Sequence, residues 1–157
     1  MEYRNAILDR LNIQQNSQSS LIFLARENDR REFNQIEIEN IAIRHGFRLF
    51  YMEKLSFREQ VELMFGAKVI VGASGAAFSN ILFCQKGARI LSWLLPQYKG
   101  FSSFSNLAQA VGADMRYIFS DPRQPIRNTE DAYNAKYHLD PVVFEDALKL
   151  AVYSEDY

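Results

Sequence analysis

Five short apolar runs, at 21–24, 47–51, 68–71, 89–94 and 115–119, recur roughly 20 to 25 residues apart. That rhythm constrains the fold more than any other feature of the chain. The runs LIFL and VIV are apolar on both faces, as strands are when helices cover both sides of a sheet. Parallel strands need crossovers of about a dozen residues or more, and each interval here is long enough to hold a helix. The pattern predicts an α/β fold: a doubly wound, mostly parallel, five-stranded Rossmann-like sheet.

Start and stop signals support the helices. Asn34-Gln35-Ile36-Glu37 and Ser56-Phe57-Arg58-Glu59 both read as capping boxes, in which a cap oxygen and a Glu carboxylate satisfy orphan N–H groups reciprocally. Phe104, Leu107, Ala108 and Val111 follow i, i+3, i+4, i+7, and Gly112 offers a C-cap. Asp140-Pro141 reads as an N-cap with proline at the first helical position, leading Phe144, Leu148 and Val152 along one stripe. At the start of the chain, Ile7, Leu8 and Leu11 share one face of an amphipathic helix. QIEIENIAI, at 35–43, is two-sided: it alternates like a strand, while the capping box and the following His-Gly favour helix. Residues 1–19 are read as a helix and linker, 20–157 as one domain, and 120–139 as a long surface loop.

Composition removes several functions. A net charge of −1 leaves no electrostatic footprint for nucleic acid, and no run approaches a membrane span. One cysteine, Cys84, allows no internal disulfide and fits a reducing compartment. Two histidines and one cysteine do not make a structural zinc site, so no metal is expected. His45 before Gly46 suits a helix C-terminus, and His138 near Asp140 has no nucleophile to complete a triad. A receiver domain is discounted because no acidic pair follows the first strand.

The most unusual stretch is VIVGASGAAFSNILF, at 69–83, where large side chains give way to small ones. In a doubly wound sheet a glycine-rich turn feeding a helix lets backbone N–H groups approach an anion such as pyrophosphate. The spacing matches neither the dinucleotide fingerprint nor a P-loop, and tight helix–strand packing explains it equally well. After the first strand comes Arg26-Glu27-Asn28-Asp29-Arg30-Arg31, expected on the same sheet edge. Its guanidinium groups suit phosphate oxygens, and they suit a solvated turn of ion pairs too.

Several ordered segments together resemble a known family. They are the basic turn after the first strand, E-x-L-S-F-x-E-Q at 53–60, A-x-V-I-V-G at 67–72, the small-residue turn, N-I-L-F-C at 80–84 and G-A-R-I-L at 87–91. Over roughly residues 20 to 119 this is similar to the C-terminal domain of glycosyltransferase family 61, which includes capsular polysaccharide biosynthesis proteins. The resemblance implies the donor-binding half of a GT-B enzyme, with a nucleotide-sugar as substrate, no further cofactor, and a glycan acceptor. It implies an N-terminal acceptor domain that is absent or on a partner chain, and a location in the cytoplasm or at the inner face of the membrane. Matched residue by residue, it places Arg26 and Arg31 on the diphosphate or donor sugar, and Gly75 and Ala76 as N–H donors. Ser74 would bond a phosphate or ribose. Asn34 and Gln60 fall on polar positions of the pattern, as N-cap or ligand contact and as buried hydrogen-bonder or ligand contact. Asn80 would reach the ligand or tie down the turn. Two departures stand out: Ser74 where the family has histidine, and Ser92 where it has glutamate. They favour an alternative, a non-catalytic binding or assembly module.

Overall fold

A computed structural model describes residues 2–14, 20–27 and 32–155. Strands β1 (Ser20–Ala25), β2 (Arg48–Tyr51), β3 (Ala67–Ala73), β4 (Arg89–Leu94) and β5 (Asp114–Phe119) form one sheet in the order β2-β1-β3-β4-β5. Every pairing in it is parallel. The helices are α1 (Glu2–Arg10), α2 (Gln35–Arg44), α3 (Phe57–Gly66), α4 (Ser103–Val111), α5 (Thr129–Asn134) and α6 (Pro141–Tyr153). All five expected strands are present, and the two-sided stretch at 35–43 is helical.

Alternation along each strand sends successive side chains to opposite layers. Phe23, Val71, Leu91 and Trp93 pack under α2 and α6, against Ile38, Ile41, Phe144 and Leu148. Ile22, Leu24, Ile70 and Ile90 pack on the other side, against Val61, Met64, Phe78 and Ala108, with Leu8 of α1 joining them. The sheet is thus buried on both faces, as its apolar runs require.

Local signals fix the helix ends where their chemistry is unopposed. Ser56 and Glu59 form the capping box: the Ser56 hydroxyl accepts from the Glu59 N–H at 3.3 Å, and the Glu59 carboxylate accepts from the Ser56 N–H at 2.7 Å. The Ser56 hydroxyl, donating to the same carboxylate at 2.6 Å, and the Ser56 N–H hold the Glu59 carboxyl below its usual range. Helix α4 ends at Gly112 in the left-handed conformation, φ 74°. Asp140 accepts from the N–H groups of Val142 and Val143 at 2.8 and 3.2 Å.

Two expectations are corrected and a third is sharpened. The box at Asn34 does not form, because its side chain is engaged elsewhere, as described below. The helix expected after the glycine turn is present over Ala76–Phe83 and takes the 3₁₀ form. An eight-residue apolar run fits either helix, so composition does not separate them. Arg4 of α1 closes the end of this 3₁₀ segment by donating to the carbonyls of Leu82 and Cys84, at 2.8 and 2.9 Å. Cys84 is buried there, and burial pushes its thiol up to about 12. Finally, residues 120–139 are not a surface loop. They hold a short antiparallel pair, β6 (Asp121–Pro122) with β7 (Tyr137–His138), and α5 between them. Ala135, Tyr137 and Leu139 are buried in the α2–α6 layer.

The two helices of that layer are joined by His45 and Glu145, whose Nε2 and Oε1 are 2.9 Å apart. The His45 hydrogen bond, with Lys149 and Arg44 nearby, holds the Glu145 carboxyl below its ordinary value of 4.5. A depressed carboxyl stabilises the fold above its unfolded pKa, and that contribution is lost as pH falls through the folded value. Melting temperature measured across acid pH is therefore expected to fall below about pH 4.5. Glu145→Gln should flatten that limb, and an unchanged slope would contradict the link.

Candidate functional site

Strand order reverses between β1 and β3, so the carboxyl ends of these neighbouring strands bound the topological switch point, where doubly wound sheets bind ligands. Arg26 follows β1 directly, and Ser74, Gly75 and Ala76 follow β3. The structure brings these four residues together. The Arg26 Nη2 donates to the carbonyl of Ala73 at 2.9 Å and also to that of Ser74. Its guanidinium therefore lies across the switch point, from the end of one strand to the end of the next.

The glycines explain the run of small residues. A Cβ on Gly75 would lie 2.5 Å from the Arg26 Nη2 and 3.3 Å from its Cζ. Gly75 has φ 178°, an extended backbone open to any residue, so a side chain here would displace the Arg26 guanidinium rather than strain the backbone. A Cβ on Gly72 would sit 3.0 Å from both the Leu24 Cβ and its carbonyl oxygen, and 3.4 Å from Phe78. The backbone is bare at one position for the neighbouring strand and at the other for an arginine.

Backbone bonds hold this geometry. The Ser74 N–H donates to the Trp93 carbonyl at 3.0 Å, and the Phe78 N–H closes the first 3₁₀ turn on the Gly75 carbonyl at 2.9 Å. The leading N–H groups of a helix have no partner inside it, so Ala76, which is exposed, begins a segment whose positive end opens at the switch point. Ser74 is 8% exposed, and its hydroxyl has no partner among the described residues. Gln35, not anticipated from the sequence, steadies the other side by donating to the Arg26 carbonyl at 2.9 Å. Its position directly after a presumed N-cap carried no signal of that role.

Asn34 lines a cleft together with Arg26, whereas Gln60, Asn80 and Ser92 are engaged in bonds that hold the fold. Arg31 falls outside the described residues. The Asn34 Oδ1 accepts from the Leu139 N–H at 2.9 Å, and its Nδ2 donates to the Leu139 carbonyl at 3.0 Å and to Glu37 at 2.7 Å. That clip replaces the expected cap. Gln60 donates to the carbonyls of Met52 and Leu55, at 2.9 and 3.0 Å, and accepts from the Asn80 Nδ2 at 3.0 Å. Gln60 and Asn80 thus tie α3 to the 3₁₀ segment. Ser92 is fully buried and donates to the Gly72 carbonyl at 2.9 Å. Among the described residues no group of three or more His, Cys, Asp or Glu side chains is placed to hold a metal ion. No described helix is long and apolar enough to cross a membrane.

Beside Arg26 a cleft of about 990 Å³ runs between α2 and α6. Arg26, Glu27 and Phe33 lie on its walls near the sheet edge, and Arg44 and Glu145 on its walls along the two helices.

Fold and switch point together define a Rossmann-like α/β domain with an arginine laid over a bare turn at its ligand edge. Residues 1–91 match the family model Glycosyltransferase 61, and the chain belongs to that family. The match takes in α1 and ends at Leu91, one residue before Ser92. Membership supports glycosyl transfer as the chemistry the domain serves. Among curated proteins, none matches the chain.

Proposed function

We propose that the β1/β3 switch point holds the diphosphate of a nucleotide-sugar, and that this domain is the donor-binding part of a glycosyltransferase acting on a glycan acceptor. The observation that carries this reading is the Arg26 guanidinium, seated on Gly75 beside the open end of the 3₁₀ segment. Glycosyl transfer builds negative charge on the departing diphosphate. A guanidinium and preorganised N–H groups aimed at that charge lower the barrier electrostatically. The bonds from Arg26 to the carbonyls of Ala73 and Ser74 hold its guanidinium at the switch point.

A thermal-shift panel of nucleoside diphosphates tests the reading. A ligand at about 100 times its Kd adds about 2.7 kcal/mol. For a domain of this size that is about 5–10 °C in Tm. Arg26→Ala, compared with its own unliganded Tm, is expected to abolish the shift, and Arg26→Lys to keep only part of it because a point charge lacks the planar fork. No shift with any nucleotide would sink the reading.

A second reading, a non-catalytic module, draws on Ser74 and Ser92. Ser74 cannot act as an imidazole acid or base, and the Ser92 hydroxyl is spent on a core hydrogen bond. Donor hydrolysis or transfer by the protein would exclude it.

A further inference from the structure

Helix α2 is apolar on two sides. Ile38 and Ile41 fill the core, whereas Ile36 is 77% exposed and Ile43 49%. Ile36, Asn40 and Ile43 follow i, i+4, i+7 and so form one stripe, while Glu37 and Arg44 flank it on a common side. That side borders the cleft toward α6, where Val142 is 68% exposed. The fold itself has no use for this stripe.

We propose that it pairs with a second copy of the chain, the two α2 helices running antiparallel about a twofold axis through Asn40. The inference is independent of the donor-site reading. Charge selects both the partner and the direction. Antiparallel pairing sets Ile36 against the partner's Ile43 and Glu37 against the partner's Arg44, and the twofold axis repeats each contact. Parallel pairing about a twofold would turn the two Glu37/Arg44 flanks to opposite sides of the pair, so neither charge would meet its complement. Asn40 meets its own copy on the axis, a polar position of the kind that fixes register in helix pairs at some expense in affinity. A ten-residue helix pair buries less than the ~1,200 Å² of a stable interface, so the dimer is a weak, reversible one. The small area and polar centre set the dimer constant on the order of micromolar.

Sedimentation velocity from about 1 to 200 μM tests this, a range chosen to bracket such a constant. The chain is expected to pass from monomer to dimer. E37R and R44E, both at exposed positions, should each weaken association about tenfold by opposing like charges twice. The double variant E37R/R44E should restore it to within about threefold. I43D should abolish the dimer, with circular dichroism confirming the fold of each variant. The charge swaps keep the test decisive if I43D fails to fold. A chain monomeric throughout, single swaps without effect, or a double swap that does not restore pairing would each overturn the proposal.

Discussion

Trp93→Ala is expected to lower the unfolding free energy by about 3–5 kcal/mol, a large share of the ~5–15 kcal/mol of an ordinary domain. Trp93 is fully buried on β4, and its ring centroid lies 6.0 Å from Phe23, 5.4 Å from Phe33 and 5.6 Å from Phe144. Those rings come from β1, the approach to α2, and α6, so truncation opens a cavity where three elements meet. The indole Nε1 is buried with no hydrogen-bond partner among the described residues. Trp93→Phe removes that orphan along with part of the volume, and should lose less than about 2 kcal/mol. Trp93 is the only tryptophan, so urea unfolding is followed by circular dichroism, with the midpoint falling at constant m-value. Equal losses from the two variants would show that the cavity opened by removing the ring carries no penalty.

Asn34→Ala is expected to cost about 2–4 kcal/mol, more than any loss of a helix cap, because it leaves two backbone groups of a buried residue unpaired. Leu139 is fully buried, and Asn34 satisfies both its N–H and its C=O. Asn34→Asp keeps an acceptor for the N–H but loses the donor and adds a carboxylate beside Glu37, so it should fall between wild type and alanine. Chemical denaturation of the three proteins checks the order. If Asn34 served the donor instead, alanine would leave stability intact and remove the nucleotide-dependent rise in Tm.

The sheet was legible because buried parallel strands are written as uninterrupted apolar runs, and all five lie where those runs lie. The placement of Arg26 with Gly75 was half legible: topology put both at one edge, but that one lies on the other needs a side-chain conformation the residues do not encode locally. The segment 120–139 was misread because Ala132, Ala135, Tyr137 and Leu139 are spaced irregularly among polar residues, with no period to mark them as core. The ambiguity of QIEIENIAI has a physical origin too. Two of its isoleucines face the core and two face out, so neither helical nor strand periodicity is clean.

Asn34 and Leu139 stand 105 residues apart, and their clip has a consequence for time as well as for energy. Closing so long a loop is entropically costly until the intervening sheet has drawn its ends together. The clip therefore forms on the native side of the folding barrier. Its loss in Asn34→Ala should leave the refolding rate nearly unchanged and appear as faster unfolding. The pair sets how long the folded molecule lasts, not how quickly it is made.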